Sequence, residues 1–222
     1  MNGKIIVIEG LDGCGKSTQL ELLQKRFADC RFLTFPNYQS PSGEIITRYL
    51  QGGFPEESAE RSAYAASSFY AIDRYTSFKE DWERDFKAGK TIISARYTTS
   101  NAFYQMTKLP RELWDGYCTW LYDYEYTKLG IPRPSAVIFL DVPVAVSQRL
   151  LSARYGGDEG KKDIHEADPA YLQTCRDAAM YACTHHAPEE HWHVLSCCEG
   201  ETMRSVESIH EDIVALIMGE TV

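Results

Sequence analysis

Apolar positions along this chain follow two rhythms. Short unbroken runs occur at Ile5-Ile6-Val7-Ile8, at Thr91-Ile92-Ile93-Ser94, at Ala136-Val137-Ile138-Phe139-Leu140 and at Trp192-His193-Val194-Leu195. Between them, apolar residues recur every three or four positions. The runs, with Arg31 to Phe35, predict strands apolar on both faces. The second rhythm predicts helices: one carrying Leu20, Leu23 and Phe27; one carrying Ile45, Ile46, Tyr49 and Leu50 and stopped by Gly52-Gly53; and a long one from Ala59 to about Phe78, capped by Ser58. Further helices are predicted over 111–129, Val144 to Leu151, about Pro169 to Ala182, and at the end of the chain along Val206, Ile209, Ile213 and Leu216. Alternating strands and helices imply an α/β protein with a parallel sheet covered on both sides. Ligands in such sheets bind beyond the carboxyl ends of the strands. Four loops leave strands there, Gly10 to Lys16, Pro36 to Gly43, Ala95 to Ala102 and the region after Asp141, and they are expected to face one cleft.

Composition narrows the class. At 222 residues, 44% hydrophobic and 25% charged, the chain suits one globular domain over 1–222. No apolar run approaches the ~20 residues that span a bilayer, and the first residues lead straight into a strand, so the cytoplasm is the default location and no membrane is expected as a partner. Seven cysteines without C-x-x-C spacing read as free thiols. A net charge of −9 argues against nucleic-acid binding but leaves room for a small anion in a local positive pocket.

The first loop supplies that pocket. Gly10-Leu11-Asp12-Gly13-Cys14-Gly15-Lys16-Ser17 is a G-x-x-x-x-G-K-S phosphate loop, entered from a strand and left by a helix that begins near Thr18. The glycines let backbone N–H groups converge on a polyphosphate, and the helix N-terminus favours its charge. Lys16 can reach the β- and γ-phosphates, and Ser17 can ligate Mg²⁺. Gly10, Asp12, Gly13, Cys14, Gly15, Lys16, Ser17 and Thr18 are thus the expected ATP-binding residues. The histidines at 185, 186, 191 and 193 with Cys183, Cys197 and Cys198 match no tight zinc spacing. Trp114, Tyr117, Trp120, Tyr122 and Tyr124 read as core or dimer packing.

Six further segments keep the order and spacing of a known family. They are Phe35-Pro36-Asn37-Tyr38, Tyr70-Ala71-Ile72-Asp73-Arg74-Tyr75, Arg96-Tyr97-Thr98-Thr99-Ser100-Asn101-Ala102-Phe103-Tyr104-Gln105, Phe139-Leu140-Asp141-Val142-Pro143, Asp163-Ile164-His165-Glu166, and Tyr171 to Arg176. With the phosphate loop, they resemble the thymidylate kinases of bacterial type. The resemblance implies transfer of a phosphoryl group from ATP to dTMP, giving ADP and dTDP. It also implies a three-layer P-loop NTPase fold with a five-stranded parallel sheet in the order 2-3-1-4-5, Mg²⁺, a homodimer and a mobile lid near 154–166.

By the same resemblance, Asp12 meets the acceptor sugar's 3′-hydroxyl, and Phe35 packs near sugar and base. Tyr70 stacks on the thymine, and Arg74 donates to its O4. Asn101 reads the N3 edge, Tyr104 lies against the deoxyribose, and Arg96 clamps the acceptor phosphate. Arginine only donates, so Arg74 favours a base presenting an acceptor. Lys16, Arg96, Arg154 and Arg149 form the expected catalytic set, with Lys161 and Lys162 as further basic residues of the lid. Asp73 reads as the partner that orients Arg74. Glu9 reads either as a water-mediated contact to the metal or as a solvated strand end, and Asp141 as structural or as a metal contact. Asp163 and Glu166 pair with lid arginines or are solvated.

One position departs from the family pattern. Ala95 stands before Arg96-Tyr97 where the family carries aspartate. Three outcomes stay open on sequence: a weakened kinase, a catalytically silent nucleotide-binding protein, or compensation by Asp141, Asp73 or Glu9. A deoxynucleoside kinase of related fold is a further alternative. The loop at Phe35–Tyr38 also lacks the arginine many members carry, which leaves the acceptor phosphate more dependent on Arg96.

Overall fold

The computed structural model describes residues 2–55, 58–154, 156, 168–185 and 190–221. Five parallel strands form the main sheet: β1 (Ile5–Glu9), β2 (Arg31–Thr34), β3 (Ile92–Ala95), β4 (Ala136–Asp141) and β5 (His191–Ser196), in the order β2-β3-β1-β4-β5. Val7 lies in register with Ser94 on one side and Val137 on the other. The order expected from the resemblance is therefore present.

Alternating residues of the central strands feed two separate cores, one on each face. Ile5, Val7, Ile92, Val137 and Phe139 pack against Phe103, Tyr117 and Leu121. Ile6, Ile8, Ile93, Ile138 and Leu140 pack against Leu20, Leu23, Ile209 and Ile213. Ile8 is fully buried, so truncating it to alanine would cost about 2–5 kcal/mol. The first face is covered by α3 (Ala59–Ser77), α5 (Thr98–Tyr104), α6 (Trp114–Tyr122) and α8 (Pro169–Thr184). The second is covered by α1 (Lys16–Arg26), α7 (Val144–Arg154) and α9 (Val206–Thr221), while α2 (Pro41–Leu50) packs on α3 and α4 (Glu83–Lys87) follows it.

Local chemistry sets several of these boundaries. Ser58 accepts from the Arg61 amide at the start of α3, as its position before the apolar stripe predicts. Asp168 accepts from the Ala170 and Tyr171 amides ahead of Pro169 at the start of α8. Other expectations need correction. The segment 111–129 is helical but not uniform, running as a 3₁₀ turn (Arg111–Leu113), α6 and a wide i→i+5 turn (Asp123–Lys128). β5 is an edge strand with half-exposed side chains, so it is not buried on both faces. In α9 the buried line runs Ile209, Ile213, Ile217, and Val206 is exposed. In α2 only Ile46 of the expected stripe is fully buried, and Ile45 is exposed. A two-residue hairpin, β6 (Cys198–Glu199) with β7 (Thr202–Met203), was not anticipated, because such short strands leave no periodicity. No described helix is long and apolar enough to cross a membrane.

Candidate active site

The phosphate loop joins β1 to α1. Gly13 takes φ 79°, and a Cβ there would come within 2.8 Å of the Ser147 carbonyl oxygen and of Leu151 on α7. The backbone can follow this path only with glycine. Lys16 Nζ donates to the Gly10 and Leu11 carbonyl oxygens at 2.6 and 2.8 Å, so the ammonium lies over its own loop. Gly13, Cys14, Gly15, Lys16 and Ser17 line a cavity of about 800 Å³ that reaches Ala95, Arg96 and Arg154.

A second cavity of about 690 Å³ opens beside it. Asp12, Phe35, Tyr70, Arg74, Arg96, Asn101 and Tyr104 all line it, with Tyr38, Leu50 and Gln105. Every residue expected at the acceptor nucleotide is thus gathered in one place. Asp12, Phe35 and Arg96 border both cavities. The aromatic walls and a few convergent polar groups are what a small-molecule site needs.

At the shared border, Arg96 Nη2 donates to Asp12 Oδ1, and the Tyr104 hydroxyl donates to Asp12 Oδ2 at 3.0 Å. Burial works against the Arg96 charge, but Tyr104, Asp12 and Glu9 outweigh it and hold the guanidinium well above its ordinary value. Burial likewise pushes the Tyr104 phenol well up. Both groups therefore stay protonated at neutral pH. Arg96 has φ 63°, a left-handed backbone that a long side chain adopts only at a cost.

The floor of the second cavity is a buried ion pair. Arg74 Nε and Nη2 donate to Glu125 Oε2 and Oε1 at 2.6 and 2.5 Å. Both side chains are almost fully buried, at 3% and 0% exposure. Burial opposes the Arg74 charge, and Glu125 more than offsets it. Thr98 Oγ1 adds a 2.8 Å bond to Glu125. Asn101 Nδ2 bonds the Ser67 carbonyl at 3.3 Å and Glu125 Oε1 at 3.4 Å.

Asp73 sits differently from its sequence-based reading, Glu9 departs from one of its two, and Asp141 matches one of its two. Asp73 does not orient Arg74. It accepts from the Asn37 amide and the Ser40 and Ser42 hydroxyls, and so fastens the loop after β2. Adjacent residues on a helix point about 100° apart and do not face one another. Glu9 is not a solvated strand end. It is fully buried at the N-terminus of α5, accepting from the Tyr97 amide and from the Thr99 and Ser100 hydroxyls. An anion is stabilised at a helix N-terminus. Asp141 forms a two-point pair with Arg176, Nε and Nη2 at 2.7 and 2.8 Å, which is the structural one of its two readings.

Of the basic residues expected near the transferring group, Arg154 borders the phosphate-loop cavity. Arg149 does not line either cavity. It is half exposed on another face of α7, and its Nη2 donates to the Glu201 carbonyl at 2.6 Å. Residues five apart on a helix point roughly 140° away from each other, so α7 cannot aim both arginines at one cleft. Lys161, Lys162, Asp163 and Glu166 lie outside the described residues, as does the lid region apart from Arg154 and Gly156. Thr18 borders an adjoining cavity of about 650 Å³ that Arg154 also lines.

Two residues escaped the sequence reading. Glu125 sits in an aromatic stretch far from Arg74, with nothing local to mark it. Gln105 lines the second cavity, and its Oε1 is buried with no hydrogen-bond partner among the described residues. Its position directly after Tyr104 was the available signal. All seven cysteines are free, as expected. His191 and His193, weighed for zinc, both contact Glu220. Among the described residues no cluster of three or more potential metal ligands occurs.

Comparison with known proteins finds relatives along nearly the whole chain. The family model for thymidylate kinase matches residues 8–213. The chain is 32% identical over 222 residues to a probable thymidylate kinase of Thermococcus onnurineus, covering 97% of each chain. It is 29% identical over 184 residues to the thymidylate kinase of Mycobacterium tuberculosis strain CDC 1551, covering 80% of this chain and 84% of that one. In fold it resembles the structure of thymidylate kinase from Candida albicans, with a TM-score of 0.71 at 18% identity over 99% of this chain and 93% of that one. With a family match that runs through the phosphate loop, β2, α3 and α5 to the last helix, the chain belongs to the thymidylate kinase family.

Proposed function

We propose that this chain transfers the γ-phosphoryl group of ATP to dTMP, releasing ADP and dTDP, as a single kinase domain over 1–222. One observation carries the reading: two cavities, one walled by a phosphate loop and one by aromatic and basic side chains, meet at Asp12, Phe35 and Arg96. Two nucleotides seated there lie head to head. The homodimer follows from the resemblance. The seven free thiols support a reducing compartment, the cytoplasm.

The acceptor largely sets the mechanism. A nucleoside monophosphate has its second pKa near ~6, so it arrives as a nucleophile and needs no general base. The protein must align it, neutralise crowded oxygens and exclude water. Lys16 exchanges its loop carbonyls for donor phosphate oxygens, and Arg96 turns from Asp12 to the acceptor phosphate. Asp12 then accepts from the 3′-hydroxyl. Tyr70 and Phe35 hold the base, and Tyr104 fills the space beside the sugar. Arg74 and Asn101 read the pyrimidine edge. Arg154 is the described lid residue placed to reach the transferring group.

Mg²⁺, when bound, supplies charge neutralisation between donor and acceptor phosphates. Ser17 would hold it, with nucleotide oxygens and water completing its shell, which this ion accepts readily. Ala95 lines the same cavity and adds no ligand. Glu9, Asp73 and Asp141 are all committed to the hydrogen bonds described above, which weighs against compensation by any of them. A kinase weakened at the metal is the reading these contacts favour. The test is a coupled ADP-release assay over dTMP, dUMP, dCMP and thymidine, with and without Mg²⁺. Turnover of dTMP above about 0.1 s⁻¹ supports the proposal. Nucleotide binding without turnover would sink it in favour of a silent binder, and turnover of thymidine alone would reassign the chain as a deoxynucleoside kinase.

A further inference from the structure

We infer that Glu125 is the positioning residue that sets which pyrimidine the second cavity accepts, by fixing the direction of both groups that read the base edge. The inference rests on the dTMP reading above.

Glu125 is fully buried on the wide turn Asp123–Lys128. A buried carboxylate is costly unless its oxygens are satisfied. Here they are satisfied by Arg74 from α3 and by Thr98 and Asn101 from α5. These donors are not neutral scaffolding, because Arg74 and Asn101 line the cavity.

The geometry of each bond leaves a defined remainder. Arg74 spends Nε and one Nη2 proton on Glu125, so the rest of the fork, centred on Nη1, is what it can offer the cavity. A guanidinium held at two points cannot rotate, so that offer is fixed in direction. Asn101 spends its Nδ2 group on the Ser67 carbonyl and on Glu125 Oε1. An asparagine amide taken alone could turn either end outward. With its nitrogen held by two acceptors, Oδ1 is the end left for the cavity, as an acceptor.

The edge of the site therefore reads donor from Arg74 and acceptor from Asn101. Thymine and uracil present the complement, O4 accepting and N3–H donating. Cytosine presents an amino donor and an N3 acceptor, the reverse at both places. A site built to pair polar groups rejects a ligand that leaves them unpaired far more strongly than a merely apolar pocket does. A single carboxylate, placed behind the reading groups and touching no substrate, fixes the direction of the Arg74 donors and, with the Ser67 carbonyl, turns the acceptor end of Asn101 to the cavity. If it were an amide, its own NH₂ would face donors, Arg74 would lose its fixed direction, and only the Ser67 carbonyl would hold Asn101.

The test is Glu125→Gln in the full chain, assayed with dTMP and dCMP as acceptors. The expected result is a KM for dTMP raised about tenfold or more, the worth of one charge-assisted hydrogen bond. The dTMP-to-dCMP ratio of kcat/KM should fall at least as far, while the KM for ATP stays within about twofold. Glu125→Asp keeps the charge and should recover part of the ratio. Thr98→Val removes one bond to Glu125 and leaves both charges in place. It covers the case in which Glu125→Gln does not fold, with a drop of about threefold in the same ratio expected. An unchanged ratio in the folded variants, or equal losses for dTMP and ATP, would overturn the assignment. The unmodified chain separates the two levels. If it prefers dTMP and the variants keep that preference, only the role of Glu125 falls. If it neither binds nor phosphorylates dTMP, the function and this inference fall together.

Discussion

Restoring a carboxylate at residue 95 is the sharpest perturbation the site allows. Ala95 is nearly buried at the end of β3. Its carbonyl accepts from the Phe35 amide at 3.0 Å, and the next amide, of Arg96, donates to the Ile8 carbonyl at 3.2 Å. The backbone is thereby held, and a new side chain has to enter the cavity of about 800 Å³ shared with Lys16, Ser17 and Arg96. That space is open, so Ala95→Asp avoids the ~1–3 kcal/mol of strain that extra atoms cause in a closed core. Three cations lining the cavity, Lys16, Arg96 and Arg154, offset the desolvation of the charge. A partner that orients or supports a metal is worth about 10–100-fold in affinity or rate, which is about 1.4–2.7 kcal/mol of barrier or binding. The assay is coupled ADP release at saturating ATP and dTMP across a Mg²⁺ titration. Ala95→Asp should raise kcat, or lower the Mg²⁺ needed for half-maximal rate, by that factor. Ala95→Asn, of the same size but neutral, should gain little. If both the rate and the metal requirement of the aspartate variant stay within twofold of the parent while it folds and binds nucleotides, the reasoning about this position is wrong. An equal gain from asparagine would show that charge is not the cause.

Three other outcomes follow from the same contacts. Arg74→Ala leaves Glu125 buried without its ion pair, so it should destabilise the fold by about 3–5 kcal/mol and, by calorimetry below the unfolding temperature, weaken dTMP about 10–100-fold with ATP little changed; equal losses would remove the base-reading role. Gly13→Ala must hold a left-handed backbone and push a Cβ against α7, so thermal unfolding should show a loss of at least about 1 kcal/mol together with weaker ATP binding, and parental values for both would refute the close approach described. Burial raises the Glu220 carboxyl, but hydrogen bonds from His193 and His191 outweigh it and hold it below its usual 4.5; the stabilisation is present above that value and is lost as pH falls through the lowered folded value. Glu220→Gln should therefore cost up to ~1 kcal/mol in urea unfolding at pH 7 and progressively less as the pH is lowered below 4.5, and a cost that stays constant with pH would contradict the linkage.

What sequence could foresee divides along the range of the forces involved. The phosphate loop was legible because its glycines, lysine and serine act within eight residues, and the loop's shape is a backbone matter. The Ser58 cap and the apolar runs of β1, β3 and β4, buried on both faces, were legible for the same local reason. Arg74 was found at the acceptor cavity, but its partner was not. Glu125 lies beyond any helical repeat, inside a run of aromatics whose packing hides its charge. Asp73 was misread because adjacency in sequence is not adjacency on a helix. The burial of Glu9 was hidden because nothing in β1 says that the first turn of α5 will close over its end. Arg149 and Arg154 looked equivalent as charges, and only the pitch of α7 separates them.

The left-handed backbone at Arg96 has a consequence for how this chain tolerates change. Glycine would sit there with the strain relieved, worth about 1–2 kcal/mol against about 0–1 kcal/mol for the lost pair with Asp12, and the strand end would keep its course. It would also take away the guanidinium between the two cavities. At that one residue, durability and turnover pull in opposite directions. Selecting libraries of this protein for heat resistance alone should enrich Arg96→Gly, and selecting them for dTDP output should purge it.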